Sequence, residues 1–150
     1  MVQEALQTMC TLNQKAAESM IKISVQGCTD ITGFGLIGHA VEMALASKVT
    51  LRFYAQQIPI LPGAKELAAM GLIPAGTYHN KSYCENRVQQ HHLSPETLAL
   101  LYDPQTSGGL LIAVSPEKQN LLLEELKQHK VPAAIIGFAK EVGTMPVEIL

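Results

Sequence analysis

Apolar residues recur at helical spacing through the opening of the chain. Val2, Leu6, Met9, Cys10, Ala17 and Met20 are set among Gln, Glu and Lys, which predicts an amphipathic helix over 2–20. The period then shortens. Ile21, Ile23 and Val25 alternate with Lys22, Ser24 and Gln26, the pattern of a strand over 21–28. A polar, glycine-rich corner from Thr29 to Gly35 leads into 36–47, apolar nearly all round, as a buried helix is. Residues 49–54 alternate cleanly, with Val49, Leu51 and Phe53 on one face of a strand and Thr50, Arg52 and Tyr54 on the other. Pro62 and Gly63 introduce a brief helix over 64–70, which Gly71 is placed to end. Residues 72–93 keep no period and hold Pro74, Gly76, Asn80 and the His91-His92 pair, so a long loop is expected there.

Two helix starts share one device. Ser94-Pro95-Glu96 and Ser115-Pro116-Glu117 each offer a capping hydroxyl, a proline at the first helical position and an acid at the positive end of the dipole. Between them, 109–114 is a compact apolar strand, and after the helix over 116–130 a second buried strand is expected at 133–138. Strand, helix and strand at this spacing suggest a parallel βαβ unit. Residues 147–150 would add a last edge strand. With no repeat, low-complexity tract or linker, the expectation is one domain over 1–150, of the α+β class, with helices packed on a mixed sheet.

Composition narrows the function classes. The 150 residues are 47% hydrophobic and 16% charged, with a formal charge of −2 and no basic stripe, which argues against nucleic acid as a partner. Three cysteines stand far apart without a CxxC pair, the pattern of reduced thiols in a cytoplasmic protein. No apolar run is long enough for a membrane span, so no membrane association is expected.

Candidate chemistry gathers at residues 29–39. Gly33, Gly35 and Gly38 match the G-x-G-x-x-G spacing of a dinucleotide fingerprint, yet no acid follows about twenty residues on to hold a ribose. Asp30 stands at a strand mouth between Thr29 and Thr32, before a glycine-rich helix start that favours phosphate. Its carboxylate is a hard ligand suited to Mg²⁺, or equally the acceptor of an Asx-turn or cap. Asp103 to Gly109 forms a turn entering a strand, with amides that could make an anion nest. His39, His91 and His92 complete no metal-ligand spacing, and no nucleophile elbow, P-loop lysine or local carboxylate pair is present.

The stretch Cys28-Thr29-Asp30-Ile31-Thr32-Gly33-Phe34-Gly35-Leu36-Ile37-Gly38-His39 resembles the C-T-D-I-T-G-F-G-L-L-G-H motif of the selenophosphate synthetases, or selenide, water dikinases. Leu61-Pro62-Gly63-Ala64 with Glu66-Leu67-Ala68, then Gly71, Pro74, Gly76-Thr77 and Asn80, is similar to that family's middle signature. Leu101-Tyr102-Asp103-Pro104-Gln105-Thr106-Ser107-Gly108-Gly109-Leu110-Leu111 is similar to its third. The wider superfamily includes aminoimidazole ribonucleotide (AIR) synthetases, whose turn reads H-I-T-G-G-G; Asp30 and Phe34 separate this chain from that branch.

The resemblance covers about 1–150 and implies the family's C-terminal domain, of AIR synthase C-terminal type and partly ferredoxin-like, without the N-terminal catalytic domain. It implies a parent enzyme that makes selenophosphate from selenide, ATP and water, releasing AMP and phosphate, as a homodimer in its full-length form. The family binds ATP with several Mg²⁺ ions, mostly through aspartates of its N-terminal domain, which also carries the reactive Cys or selenocysteine and a nearby lysine. No catalytic residue is therefore expected in this chain. Asp30 matches the one C-terminal metal-ligand aspartate, and Thr29, Gly33 and Gly35 form the phosphate-side turn. A non-catalytic interaction domain keeping the same fold is one alternative, and a dinucleotide-binding domain is another.

Overall fold

The computed structural model describes residues 2–25 and 27–150. Two helices open the chain, α1 (Val2–Cys10) and α2 (Gln14–Ile23), followed by β1 (Gly27–Asp30), α3 (Gly35–Ser47) and β2 (Val49–Phe53). A single 3₁₀ turn at Ala55–Gln57 precedes α4 (Ala64–Ala69), α5 (Ala75–Tyr83) and β3 (Val88–Gln90). Then come α6 (Pro95–Leu101), β4 (Leu110–Ala113), α7 (Pro116–Gln128), β5 (Gly137–Glu141) and β6 (Val147–Ile149).

The strands form two sheets. β1 and β4 pair antiparallel as a two-stranded ladder, with Gly27 opposite Ala113 and Asp30 opposite Leu110. The other four run in the order β3-β6-β2-β5, parallel across β3-β6 and β6-β2 and antiparallel across β2-β5. This is an α+β fold of helices on mixed sheets.

The main core lies between α3 and the four-stranded sheet. Ile37, Ala40, Val41 and Ala44 of α3 meet Leu51, Phe53, Val147 and Ile149, with Leu98 and Leu101 of α6 closing one side. α3 is apolar all round because strands and helices cover it on several sides. A smaller cluster forms where Ala16 of α2 and Leu122 and Leu126 of α7 pack over Leu110 and Ile112. Leu111, on the opposite face of β4, belongs to the main core. The small ladder thus has one face in each cluster, and its register is fixed from both sides.

Several expected elements differ. The opening helix is interrupted at 11–13, where Asn13 precedes α2 and its side-chain amide donates to the Gly108 carbonyl at 3.3 Å. The strand expected over 21–28 is largely the last turn of α2: Ser24 takes a left-handed conformation (φ 57°), its amide donating to the Ile21 carbonyl, and pairing begins only at Gly27. Gln26 of that span lies outside the described residues. The loop expected over 72–93 contains α5 and β3.

The parallel βαβ unit is not formed. β4 and β5 lie in different sheets, each antiparallel to its partner, and the second strand starts at Gly137 rather than 133. β6 lies between β3 and β2, and its three residues are all buried, so the last strand is internal and not an edge. Of the two Ser-Pro-Glu starts, Ser94 accepts the Thr97 amide at 3.3 Å, whereas Ser115 makes no such bond to the α7 backbone.

The outer face of the four-stranded sheet carries charge. Glu148 of β6 is buried between Arg52, whose Nε donates at 2.7 Å, and Lys140 at 2.8 Å. These bonds, first Lys140 and then Arg52, hold its carboxyl below the usual range.

Candidate functional site

Because β1 and β4 are antiparallel, the end of one and the start of the other lie side by side. The turn leaving Asp30 and the turn arriving at Leu110 therefore stand together. Backbone bonds fasten them: Gly108 donates to the Ile31 carbonyl at 2.9 Å, Ile31 to Gly109 at 3.0 Å and Gln105 to Thr32 at 3.0 Å. Gly35 enters α3 at φ 68°, and a Cβ there would lie 2.8 Å from the Tyr102 carbonyl carbon and 2.9 Å from the Asp103 oxygen. Only glycine suits both the left-handed backbone and the contact.

The third partner is α5, the helix inside the expected loop. Its first turns present Gly76, Thr77 and Asn80 to the two glycine-rich turns. A Cβ on Gly76 would come within 2.9 Å of the Pro104 ring, so the ring of the second turn packs directly on the helix backbone. The buried Thr77 hydroxyl lies 3.5 Å from Asp103 Oδ1. Asn80, also buried, donates from Nδ2 to the carbonyls of Gly33 and Tyr102, both at 2.9 Å. All three sequence signatures thus meet at one place.

Within the first turn, the Thr32 amide donates to His39 Nε2 at 3.0 Å, and the Thr32 hydroxyl lies 3.1 Å from the same nitrogen. An amide can only donate, so Nε2 is the acceptor and the ring proton sits on Nδ1. His39 is thereby a brace for the turn. Phe34, at the turn's tip and 52% exposed, meets the His39 ring edge-on and stacks on Tyr83. Arg87 lies over Tyr83 in turn, 4.7 Å from the ring centroid.

The predicted site residues fall as follows. Asp30 is exposed at the end of β1; Thr29, half-buried beside it, donates to the Asp30 carbonyl at 3.3 Å. Gly33 is exposed, and a Cβ on it would meet nothing within 4 Å. Gly35 is buried beneath the second turn, and its amide donates to Thr32. Among the described residues no three His, Cys, Asp or Glu side chains come together as a metal site. The parallel strand-helix-strand that a dinucleotide fingerprint requires is absent around β1, whose partner is antiparallel.

Residues 1–148 match the family model of the AIR synthase related protein, C-terminal domain. The chain belongs to that family. Among the curated relatives of this AIR synthase-type domain, a selenide, water dikinase of Caldanaerobacter subterraneus is 51% identical over 138 residues, covering 91% of this chain and 40% of the relative. One of Trichlorobacter lovleyi is 44% identical over 147 residues, 98% of this chain and 42% of the relative. One of Clostridioides difficile is 42% identical over 149 residues, 98% of this chain and 43% of the relative. The resemblance to the selenide, water dikinases is borne out, and the chain spans about two-fifths of the length of these relatives.

Sequence reasoning missed the parts played by Asn80 and Thr77. Both stood in the middle signature, but their burial and partners depend on α5, which carries no apolar stripe. Asp103, half-buried, with Thr77 its one side-chain partner among the described residues, has its carboxyl raised by burial, the Thr77 bond opposing. The buried Cys84 thiol is pushed up to about 11 by the same cause. It is a packed side chain, kept protonated by its surroundings.

Proposed function

We propose that this domain forms the C-terminal part of a cytoplasmic selenide, water dikinase, in which Asp30 supplies one metal-binding carboxylate to a site completed by another domain. The observation that carries the reading is the convergence of the three signatures around an exposed carboxylate. Asp30 leaves β1 beside the turn into α3, and the second turn and α5 hold that exit fixed.

The donor set suits a shared Mg²⁺ site and not a self-contained one. Mg²⁺ takes one or two carboxylates and fills its shell with water and phosphate oxygens, and Asp30 is the exposed carboxylate offered here, with no group of three ligating side chains among the described residues. A metal held there would neutralise charge on a phosphate chain during phosphoryl transfer. Thr29 and Gly33 would face the phosphate side, and Gly35, left-handed and packed against the second turn, turns the chain into α3. ATP, selenide and water would be the substrates, the N-terminal domain the partner, and a homodimer the assembled state. Its free cysteines suit a reducing compartment.

The test is Asp30→Asn in the enzyme assembled from this domain and its catalytic partner domain, followed by selenide-dependent release of AMP. Loss of one ligand to a metal that supports the transferring phosphoryl group should lower kcat by about a hundredfold or more with the fold intact. Activity within about twofold of the parent, against that hundredfold, would make Asp30 structural only. The chain alone should release no AMP, and robust release from it would refute the shared site.

A further inference from the structure

We propose that Asn80 is a positioning residue for the Asp30 turn, its side-chain amide setting the spacing between the two glycine-rich turns. The inference rests on the reading of Asp30 given above. The backbone bonds between the turns lie at Ile31 and Thr32, next to the ladder. Beyond them, at the peptide of Gly33, the tie to the second turn is made by Asn80 Nδ2, which reaches the Gly33 and Tyr102 carbonyls equally at 2.9 Å.

A planar NH₂ has two hydrogens in fixed directions, so both acceptors must keep their places for both bonds to persist. Asn80 is 7% exposed, and little water can substitute for it. Its carrier, α5, is seated by Gly76 against Pro104 and by Thr77 beside Asp103, so the amide is delivered from a fixed point. No neighbouring chemistry replaces it. Ionised aspartate has no donor and would set charge against two carbonyls, while leucine fills the space and leaves both carbonyls unpaired.

Two measurements separate this proposal from the reading it rests on. In the chain itself, Asn80→Leu should speed hydrogen exchange at the Gly35 and Gly108 amides by about tenfold or more, because a local opening has lost its tie. The Leu51 amide in β2 should keep its rate. Unchanged exchange at Gly35, or acceleration shared equally by Leu51, overturns the proposal, the latter because it marks a general loss of stability.

In the assembled enzyme, Asn80→Leu should lower kcat by about tenfold with a smaller effect on KM for ATP, and lower it no further where Asp30 is already Asn. An equal further loss in the Asp30→Asn background shows that Asn80 does not act through Asp30 and overturns the proposal. Full activity of Asp30→Asn itself refutes the metal reading instead, and exchange at Gly35 then still decides whether Asn80 sets the spacing.

Discussion

Three glycines form a graded test of how closely the two turns approach. A Cβ on Gly33 would meet nothing within 4 Å, and its backbone is not left-handed. Gly71 is left-handed at φ 79° but also open, whereas Gly35 is left-handed at φ 68° and lies 2.8–2.9 Å from the Tyr102–Asp103 backbone. Alanine at Gly33 should leave stability unchanged or raise it by a few tenths of a kcal/mol, through the unfolded chain. At Gly71 it should cost about 1–2 kcal/mol, the penalty of a Cβ in the left-handed region. At Gly35 the same strain is joined by overpacking against backbone that is bonded to Asn80 and cannot yield, about 1–3 kcal/mol more, for about 2–5 kcal/mol in all.

For a domain of this size each kcal/mol lowers Tm by about 2–4 °C, so Gly35→Ala should melt about 4–20 °C below the parent. Urea denaturation of the three variants, with equal m-values as the check on two-state behaviour, measures the series. If Gly35→Ala and Gly71→Ala are equally destabilised, the second turn does not press on Gly35 and the tight apposition is refuted.

Ile149→Ala should cost about 2–5 kcal/mol in urea denaturation, as for a fully buried aliphatic residue; an exposed edge strand would tolerate it. Glu148→Gln should destabilise by about 1–3 kcal/mol at neutral pH. Because the folded carboxyl of Glu148 titrates below its unfolded value, its contribution is present above the usual carboxylate pKa and fades as pH falls through the folded one. The variant should therefore lose part of the parent's acid limb in pH-dependent melts. Asp103 has the opposite sign: its raised folded pKa means that stability falls as pH rises from the usual carboxylate value through the folded one. Asp103→Asn should flatten that decline, and a steeper one would contradict the assignment.

The elements legible in the sequence were those with one buried face or few exposed positions. β2 alternated because one side meets the core and the other the ion pairs of Glu148, and α3 was apolar nearly all round because it is covered on several sides. α5 was hidden because its buried positions are Thr77 and Asn80, chosen to bond and not to fill, so no apolar period marks it. β6 is three residues long, too short to show whether it is internal. Ile21 and Ile23 imitated a strand because two apolar residues in a last helical turn have the same spacing, and Ser24 ends that helix left-handed where glycine is usual. The pairing of β4 with β1 could not be read from crossover length, which fixes a connection and not a partner. At the candidate site, local chemistry marked the glycine turns and marked Asp30 equally as a metal ligand or a turn acceptor, whereas the parts of Asn80, Thr77 and Gly76 exist only once α5 is placed.

The small ladder also governs when the site can exist during synthesis. Asn13 bonds to Gly108 across 95 residues of sequence, and Lys22 to Glu125 across 103. β1 thus emerges from the ribosome long before β4, and α2 long before α7. Until the chain has grown beyond Ala113, the segment bearing Asp30 lacks its ladder partner, and until it has passed Leu126 that partner lacks the helix packed over it. Contacts of such long range close slowly, because the loop entropy must be met before any of them forms. A nascent chain held short of β4 should therefore leave residues 27–35 open to protease, and their protection should arrive once β4 and α7 have emerged.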